Sequence, residues 1–107
     1  MLDMTLEQGQ HVFLKALAGN NFSIESIRTY SADITQFLAF LKSVRVDWNT
    51  PQKITRLDIV KFMNRLSGMK RTRTTRARKL ASIRHFLKFL TVYSLRLLAL
   101  MDGEHRL

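Results

Sequence analysis

Apolar residues recur at helical spacing in four stretches of the chain, and nowhere alternate with polar ones for long enough to predict a strand. The first stretch predicts a helix over residues 5–18, with Leu6, Val12, Phe13, Leu14 and Leu17 on its apolar side. Gly19, Asn20 and Asn21 end it, because Gly and Asn tolerate the left-handed conformation of a helix C-terminus. The second starts from Ser23 as N-cap, with Glu25 in the first turn, and carries Ile27, Tyr30, Ile34, Phe37, Leu38 and Leu41 as one stripe. Arg28, Thr29, Ala32, Gln36 and Ala39 lie opposite. A loop over residues 44–54 holds Trp48, expected to plug the edge of the core, and Pro51. The third helix opens at Thr55, which caps it together with Asp58, takes Leu57, Ile59, Val60, Phe62, Met63 and Leu66 as its core side, and stops at Ser67-Gly68. The fourth runs from about residue 74 to 100, with Leu80, Ile83, Phe86, Leu87, Leu90, Leu97 and Leu98 on one face and Arg78, Arg84, His85 and Lys88 turned away.

One proline and four glycines among 107 residues leave these helices few breaks, so the fold class is all-α. An apolar content of 46% argues against disorder and suffices for one small domain. With no cysteine there is no disulfide and no thiolate nucleophile, which fits a reducing, cytoplasmic compartment. Asp3 and Glu7 stand where a signal peptide would be basic, and the apolar run over 93–101, broken by Ser94 and Arg96, is too short to cross a bilayer.

Charge changes the picture most. The first sixty residues balance six bases against six acids, whereas residues 61–96 hold eleven Lys or Arg and no Asp or Glu. The formal charge of +10 therefore belongs to the second half. Six of those bases, Lys70, Arg71, Arg73, Arg76, Arg78 and Lys79, fall within ten positions at the start of the fourth helix. Cations in a first turn oppose the helix macrodipole, so something outside the fold is expected to want them. A phosphate backbone does. The bland alternative, a merely solvated basic face, accounts poorly for so long a segment without an acid.

The same residues resemble a known family. Ser23-Ile-Glu-Ser-Ile-Arg-Thr-Tyr-Ser-Ala-Asp-Ile-Thr-Gln-Phe-Leu-Ala-Phe-Leu41 resembles the S-x-x-T-x-x-x-Y-x-x-D-L-x-x-F-x-x-F-L helix of phage integrases and other tyrosine recombinases. Ile54-Thr-Arg-Leu-Asp-Ile-Val-Lys-Phe-Met63 resembles I-T-x-x-D-I-x-x-F-L, and Thr74-Thr-Arg-Ala-Arg-Lys-Leu-Ala-Ser-Ile-Arg-His-Phe-Leu-Lys-Phe-Leu90 resembles S-x-x-T-x-x-R-x-L-S-A-L-R-x-F-F-x-F-L. The order and spacing are the family's, over about residues 5–90. The resemblance implies a four-helix, SAM-like orthogonal bundle, the core-binding domain that clamps one side of duplex DNA with its second and fourth helices in the major groove. Carried over by position, the DNA-facing residues are Arg28, Thr29, Thr74, Thr75 and Arg78; charge and helix geometry add Arg71, Arg73 and Arg84. Arg78 is the best candidate for reading a guanine, and the competing role for the threonines is helix capping.

The family's catalytic Arg, Lys, His, Arg and Tyr belong to a second domain that these 107 residues lack, and the proline linker expected after the fourth helix is missing too. The expectation is a single DNA-binding unit over 1–107, compact over 5–90 with an apolar helical tail over 91–101, without catalytic residues, cofactor, metal or small-molecule substrate. Tyr30 belongs to the core stripe and Tyr93 has no activating neighbours, so neither reads as a nucleophile. His11, His85 and His105 do not form a metal spacing; His85 is a candidate phosphate contact or a solvated side chain. Phe89, opposite the core stripe, with Leu95, Leu98, Leu100 and Met101, predicts self-association. Two other readings remain: a stand-alone helical nucleic-acid-binding regulator, and a basic module for an acidic protein or membrane surface.

Overall fold

The computed structural model describes residues 4–105, apart from the side chains at 97, 98 and 101–105. Four helices form it: α1 Leu6–Gly19, α2 Ile24–Val44, α3 Arg56–Gly68 and α4 Arg73–His105, with a single 3-10 turn at Pro51–Lys53 before α3. No strand occurs among the described residues. The chain is an all-α, SAM-like four-helix bundle.

Each helix start follows from its capping residue. Thr5 accepts from the Gln8 amide while the Gln8 side chain returns to the Thr5 amide, a full capping box. Ser23 accepts from the Ser26 amide, and Thr55 pairs with Asp58 in the same reciprocal way as Thr5 with Gln8. The C-terminal ends of α1 and α3 also match one another. After α1, Asn21 takes φ 63°, with Phe22 N–H donating to the Leu17 carbonyl at 3.1 Å and Asn21 N–H to Ala18 at 3.2 Å. After α3 the left-handed residue is Lys70, φ 58°, with Arg71 N–H on Leu66 at 3.2 Å and Lys70 N–H on Ser67 at 3.0 Å. Gly68 thus lies inside α3, and a lysine does the work usually left to glycine.

Leu6, Phe13 and Leu17 of α1, Ile34, Phe37, Leu38, Phe40 and Leu41 of α2, Phe62 and Leu66 of α3, and Ile83, Phe86 and Leu90 of α4 form one core. α4 packs against all three other helices. Gly9 lets α1 close on it: a Cβ there would come 2.7 Å from Leu90 Cδ2. The 44–54 loop is tied to α1 by Asn49, whose carbonyl, Oδ1 and Nδ2 reach Leu6 and Glu7, and Trp48 covers the core edge. A helix of 33 residues is about 50 Å long, which accounts for the 56 Å long axis of the molecule.

Three expectations change. Leu57 and Val60 are 58% and 44% exposed, not core, because α3 meets the core along the face that carries Ile59, Phe62, Met63 and Leu66. Phe89 is not opposite the core; its ring lies 5.2 Å from Phe13 and stacks on Tyr93. Leu87 is only partly buried. The side chains of Leu97, Leu98, Met101 and His105 lie outside the described residues, while Leu95 and Leu100 are exposed. No helix among the described residues is long and apolar enough to cross a membrane.

Candidate nucleic-acid interface

The basic loop is short because the cap of α3 runs straight into the start of α4. Thr72 accepts from the Thr75 amide at 3.1 Å and donates to the Thr75 hydroxyl at 2.9 Å, so it caps α4 while Lys70, Arg71 and Arg73 surround the turn. Arg71, Arg73 and Thr74 are exposed, and the two arginines have no acidic partner among the described residues. Thr75 is partly buried and keeps its own hydroxyl proton free to donate. Arg76 is drawn inward instead: its Nε is buried and meets no acceptor among the described residues.

The next turn is organised by an acid on another helix. Asp33 of α2 is fully buried and accepts four hydrogen bonds from α4. Arg78 Nη2 and Lys79 Nζ donate to Oδ1 at 2.8 and 3.0 Å, and Arg78 Nε and Ser82 Oγ donate to Oδ2 at 3.2 and 2.8 Å. Burial by itself would raise the Asp33 pKa; hydrogen bonds from Arg78, Ser82 and Lys79, with the Lys79 charge, outweigh it and hold the carboxyl below its ordinary value. Lys79 is 8% exposed, so one of the six clustered cations is an internal counterion. Arg78 differs, with its side chain 49% exposed.

Thr29 and Arg78 line one recess of about 410 Å³ between the start of α2 and α4, with Ser23, Ser26 and Ser82 on its walls and Glu25 at its edge. The Thr29 hydroxyl donates back to the Glu25 carbonyl at 3.0 Å, which leaves its methyl as the group to offer. Arg28, on the neighbouring position of α2, is exposed without an acidic partner among the described residues. On α4, Thr74, Arg78, Ala81 and His85 follow one strip at helical spacing; Arg84 lies about 120° around from Arg78. The structure therefore joins Thr29 and Arg78 at the recess, with Thr74 about one turn before Arg78 on α4, and sets Arg73 and Arg84 on another strip of the helix. His85 shares a 3.0 Å hydrogen bond through Nδ1 with the Tyr30 hydroxyl and stands edge-on to Phe13, so it is part of the α2–α4 seam.

A second polar anchor sits at the far end of the bundle. Asp58 accepts from Arg45 at 2.6 Å and from the Thr55 amide at 2.7 Å; burial opposes its ionisation, but these bonds keep its pKa below the ordinary value. Further along α4 an apolar groove of about 570 Å³ runs between Ile54 and Ile59 on one side and Leu87, Leu90 and Leu95 on the other.

Asp33 and Lys79 were missed as structural partners in the sequence. The available signal was position: Asp33 falls three after Tyr30 and four before Phe37, on the buried stripe, and Lys79 falls four before Ile83.

A helical bundle with a cationic seam between two helices defines a class, and comparison with known proteins narrows it. The model of the phage integrase N-terminal SAM-like domain matches residues 11–92. The chain belongs to that family. It is similar to tyrosine recombinase XerC of Listeria monocytogenes, in serotype 4a (strain HCC23) and serotype 4b (strain F2365), at 34% identity over 70 residues in each. The match covers 65% of this chain and 23% of each relative, so the chain aligns with about a quarter of the length of those recombinases. No solved structure gives a significant match.

Proposed function

We propose that the chain is the DNA-binding clamp domain of a site-specific tyrosine recombinase, gripping duplex DNA through the start of α4 and the facing part of α2. The observation that carries this reading is the folded basic segment: Arg71, Arg73 and Arg84 are exposed without acidic partners among the described residues, and Arg78 beside them is half exposed. The start of a helix already carries partial positive charge, so arginines added there suit a phosphate backbone and little else of comparable abundance. Family membership and the likeness to XerC support the same partner.

In this reading Arg71, Arg73, Arg84 and the Thr75 hydroxyl take phosphates, fixing register without reading sequence. Arg78 and Arg28 face the groove, and Thr29 and Thr74 offer methyl or hydroxyl contacts. The domain supplies grip to DNA integration or recombination and no chemical step. Tyr30 is hydrogen-bonded to His85 and Tyr93 is stacked on Phe89, and neither hydroxyl has an arginine partner among the described residues. The exposed Leu95 and Leu100 make self-association through the end of α4 part of the proposal.

The test is binding to a random duplex and to single-stranded DNA of equal length, titrated against salt. We expect duplex preference and a linear fall of log K with log salt, with a slope of about −0.9 for each phosphate neutralised. Absence of duplex binding at low salt would overturn the proposal and turn attention to an acidic protein or membrane surface.

A further inference from the structure

A guanidinium has two edges able to form paired hydrogen bonds: one from Nε and Nη2, the other from Nη1 and the second proton of Nη2. In Arg78 the first edge is closed on Asp33, at 3.2 and 2.8 Å. The second edge has no acceptor among the described residues, on a side chain that is 49% exposed and borders the recess shared with Thr29. Resting on the clamp reading, we propose that Asp33 is a positioning residue for sequence recognition: it fixes Arg78 so that its outer edge is presented to a guanine in the major groove.

Three features favour positioning over simple packing. Asp33 is fully buried and has both oxygens filled, so it has no freedom to let the guanidinium turn. Lys79, on the inner side, cancels the carboxylate charge, so Arg78 still offers a full positive charge outward. Without Lys79 the ion pair would be neutral toward DNA. Finally, an arginine already ordered loses less freedom on binding, and discrimination then depends on whether O6 and N7 meet a fixed fork. A mobile arginine in the same place would find a phosphate as readily as a base.

The experiment selects a preferred duplex from a randomised library with the wild-type chain. Affinities and salt slopes are then measured on that duplex, on copies with 7-deazaguanine at each guanine in turn, and on random duplex. The central variant is Asp33→Asn with Lys79→Met, which removes one charge of each sign and leaves the net charge unchanged. Its folded fraction is followed by circular dichroism. Ser82→Ala, which removes a single hydrogen bond from Asp33 Oδ2, provides a milder disturbance. We expect the double variant to keep the wild-type salt slope and random-duplex affinity, and to lose about tenfold of its preference for the selected site. Ser82→Ala should lose about threefold. Arg78→Ala should lose the preference as well, with the loss confined to the selected site, and 7-deaza substitution at one guanine should mimic the double variant.

Equal loss on selected and random duplexes would make Arg78 a phosphate contact and overturn the proposal, as would unchanged preference in Ser82→Ala and the double variant. A selection that returns no guanine-dependent motif, from a chain that still binds duplex, overturns the positioning role while leaving the clamp intact. A wild-type chain that binds no duplex removes both.

Discussion

Gly9 lies near the start of α1 but inside the helix, where alanine would ordinarily favour it by up to about 0.8–1.0 kcal/mol. Here the added Cβ would come 2.7 Å from Leu90 Cδ2 and 3.2 Å from Cδ1. Carbon pairs rest at about 3.5–4.0 Å, so Leu90 must retreat by roughly 1 Å. It is buried in the core at its own position, with Phe86 and Phe89 on the same helix packed against Phe13, and its free side opens only to the apolar groove. Overpacking of this kind costs about 1–3 kcal/mol. Subtracting the propensity gain, Gly9→Ala should destabilise the chain by about 1 kcal/mol, lowering Tm by about 4–8 °C for a domain of this size. In a Leu90→Ala background the obstructing methyls are gone, and the same substitution should stabilise by about 1 kcal/mol. Urea unfolding of the four chains in this cycle reads the sign change directly. If Gly9→Ala shifts stability equally in both backgrounds, to within about 0.5 kcal/mol, the close approach of α1 to α4 is not what keeps this glycine.

Other consequences are as direct. Ile83→Ala, fully buried, should cost about 2–5 kcal/mol, whereas Leu87→Ala, on the groove wall, should cost clearly less in the same denaturant series; equal costs would mean that the groove is closed in solution. Asp33 and Asp58 both titrate below their ordinary value when folded, so their contribution is complete above about pH 5 and is lost as pH falls through the lowered folded values. A urea midpoint that stays constant from neutrality to about pH 2.5 would contradict this. Lys70→Gly relieves a left-handed lysine and should stabilise by about 1 kcal/mol, while lowering duplex affinity at low salt; a loss of stability would mean that the Lys70 side chain makes contacts that outweigh its backbone strain.

The parts of the fold set by short-range rules could be read from residue order. Ser23 and Thr55 announced their helices because a hydroxyl three residues before a free amide is a local fact. The α2 stripe was legible for a similar reason: all three other helices pack on it, so the whole apolar face of the pattern is covered. The face of α3 was not. Leu57, Ile59 and Val60 together span more than one side of a helix, and which side is buried depends on where α2 and α4 lie, which the local pattern does not encode. Of the proposed contacts, Arg71, Arg73 and Arg84 follow from charge and exposure alone. The pairing of Arg78 with Asp33 joins positions 45 apart, and an acid on a buried stripe looks in sequence like any other acid.

Locally unfavourable choices gather at one place, the junction of α3 and α4. Lys70 holds a left-handed conformation that glycine would adopt without cost, and Gly68, two residues away, is spent inside the helix. The first turn of α4 contains no acid, although one is worth about 0.3–1 kcal/mol there. Arg76 buries a nitrogen with no acceptor among the described residues. At the opposite end of the core the same chain does the reverse: Asp58 completes a capping box, binds Arg45 and satisfies the start of α3. A sequence able to cap α3 so fully is under no physical constraint to leave α4 cationic. Deviations that gather at one surface are what a requirement from outside the fold produces. Asp33 fits that account. It binds Arg78, Lys79 and Ser82 from beneath, so the carboxylate anchors α4 without facing the partner. Residues 61–96 thereby carry no acid of their own while α4 stays anchored from beneath.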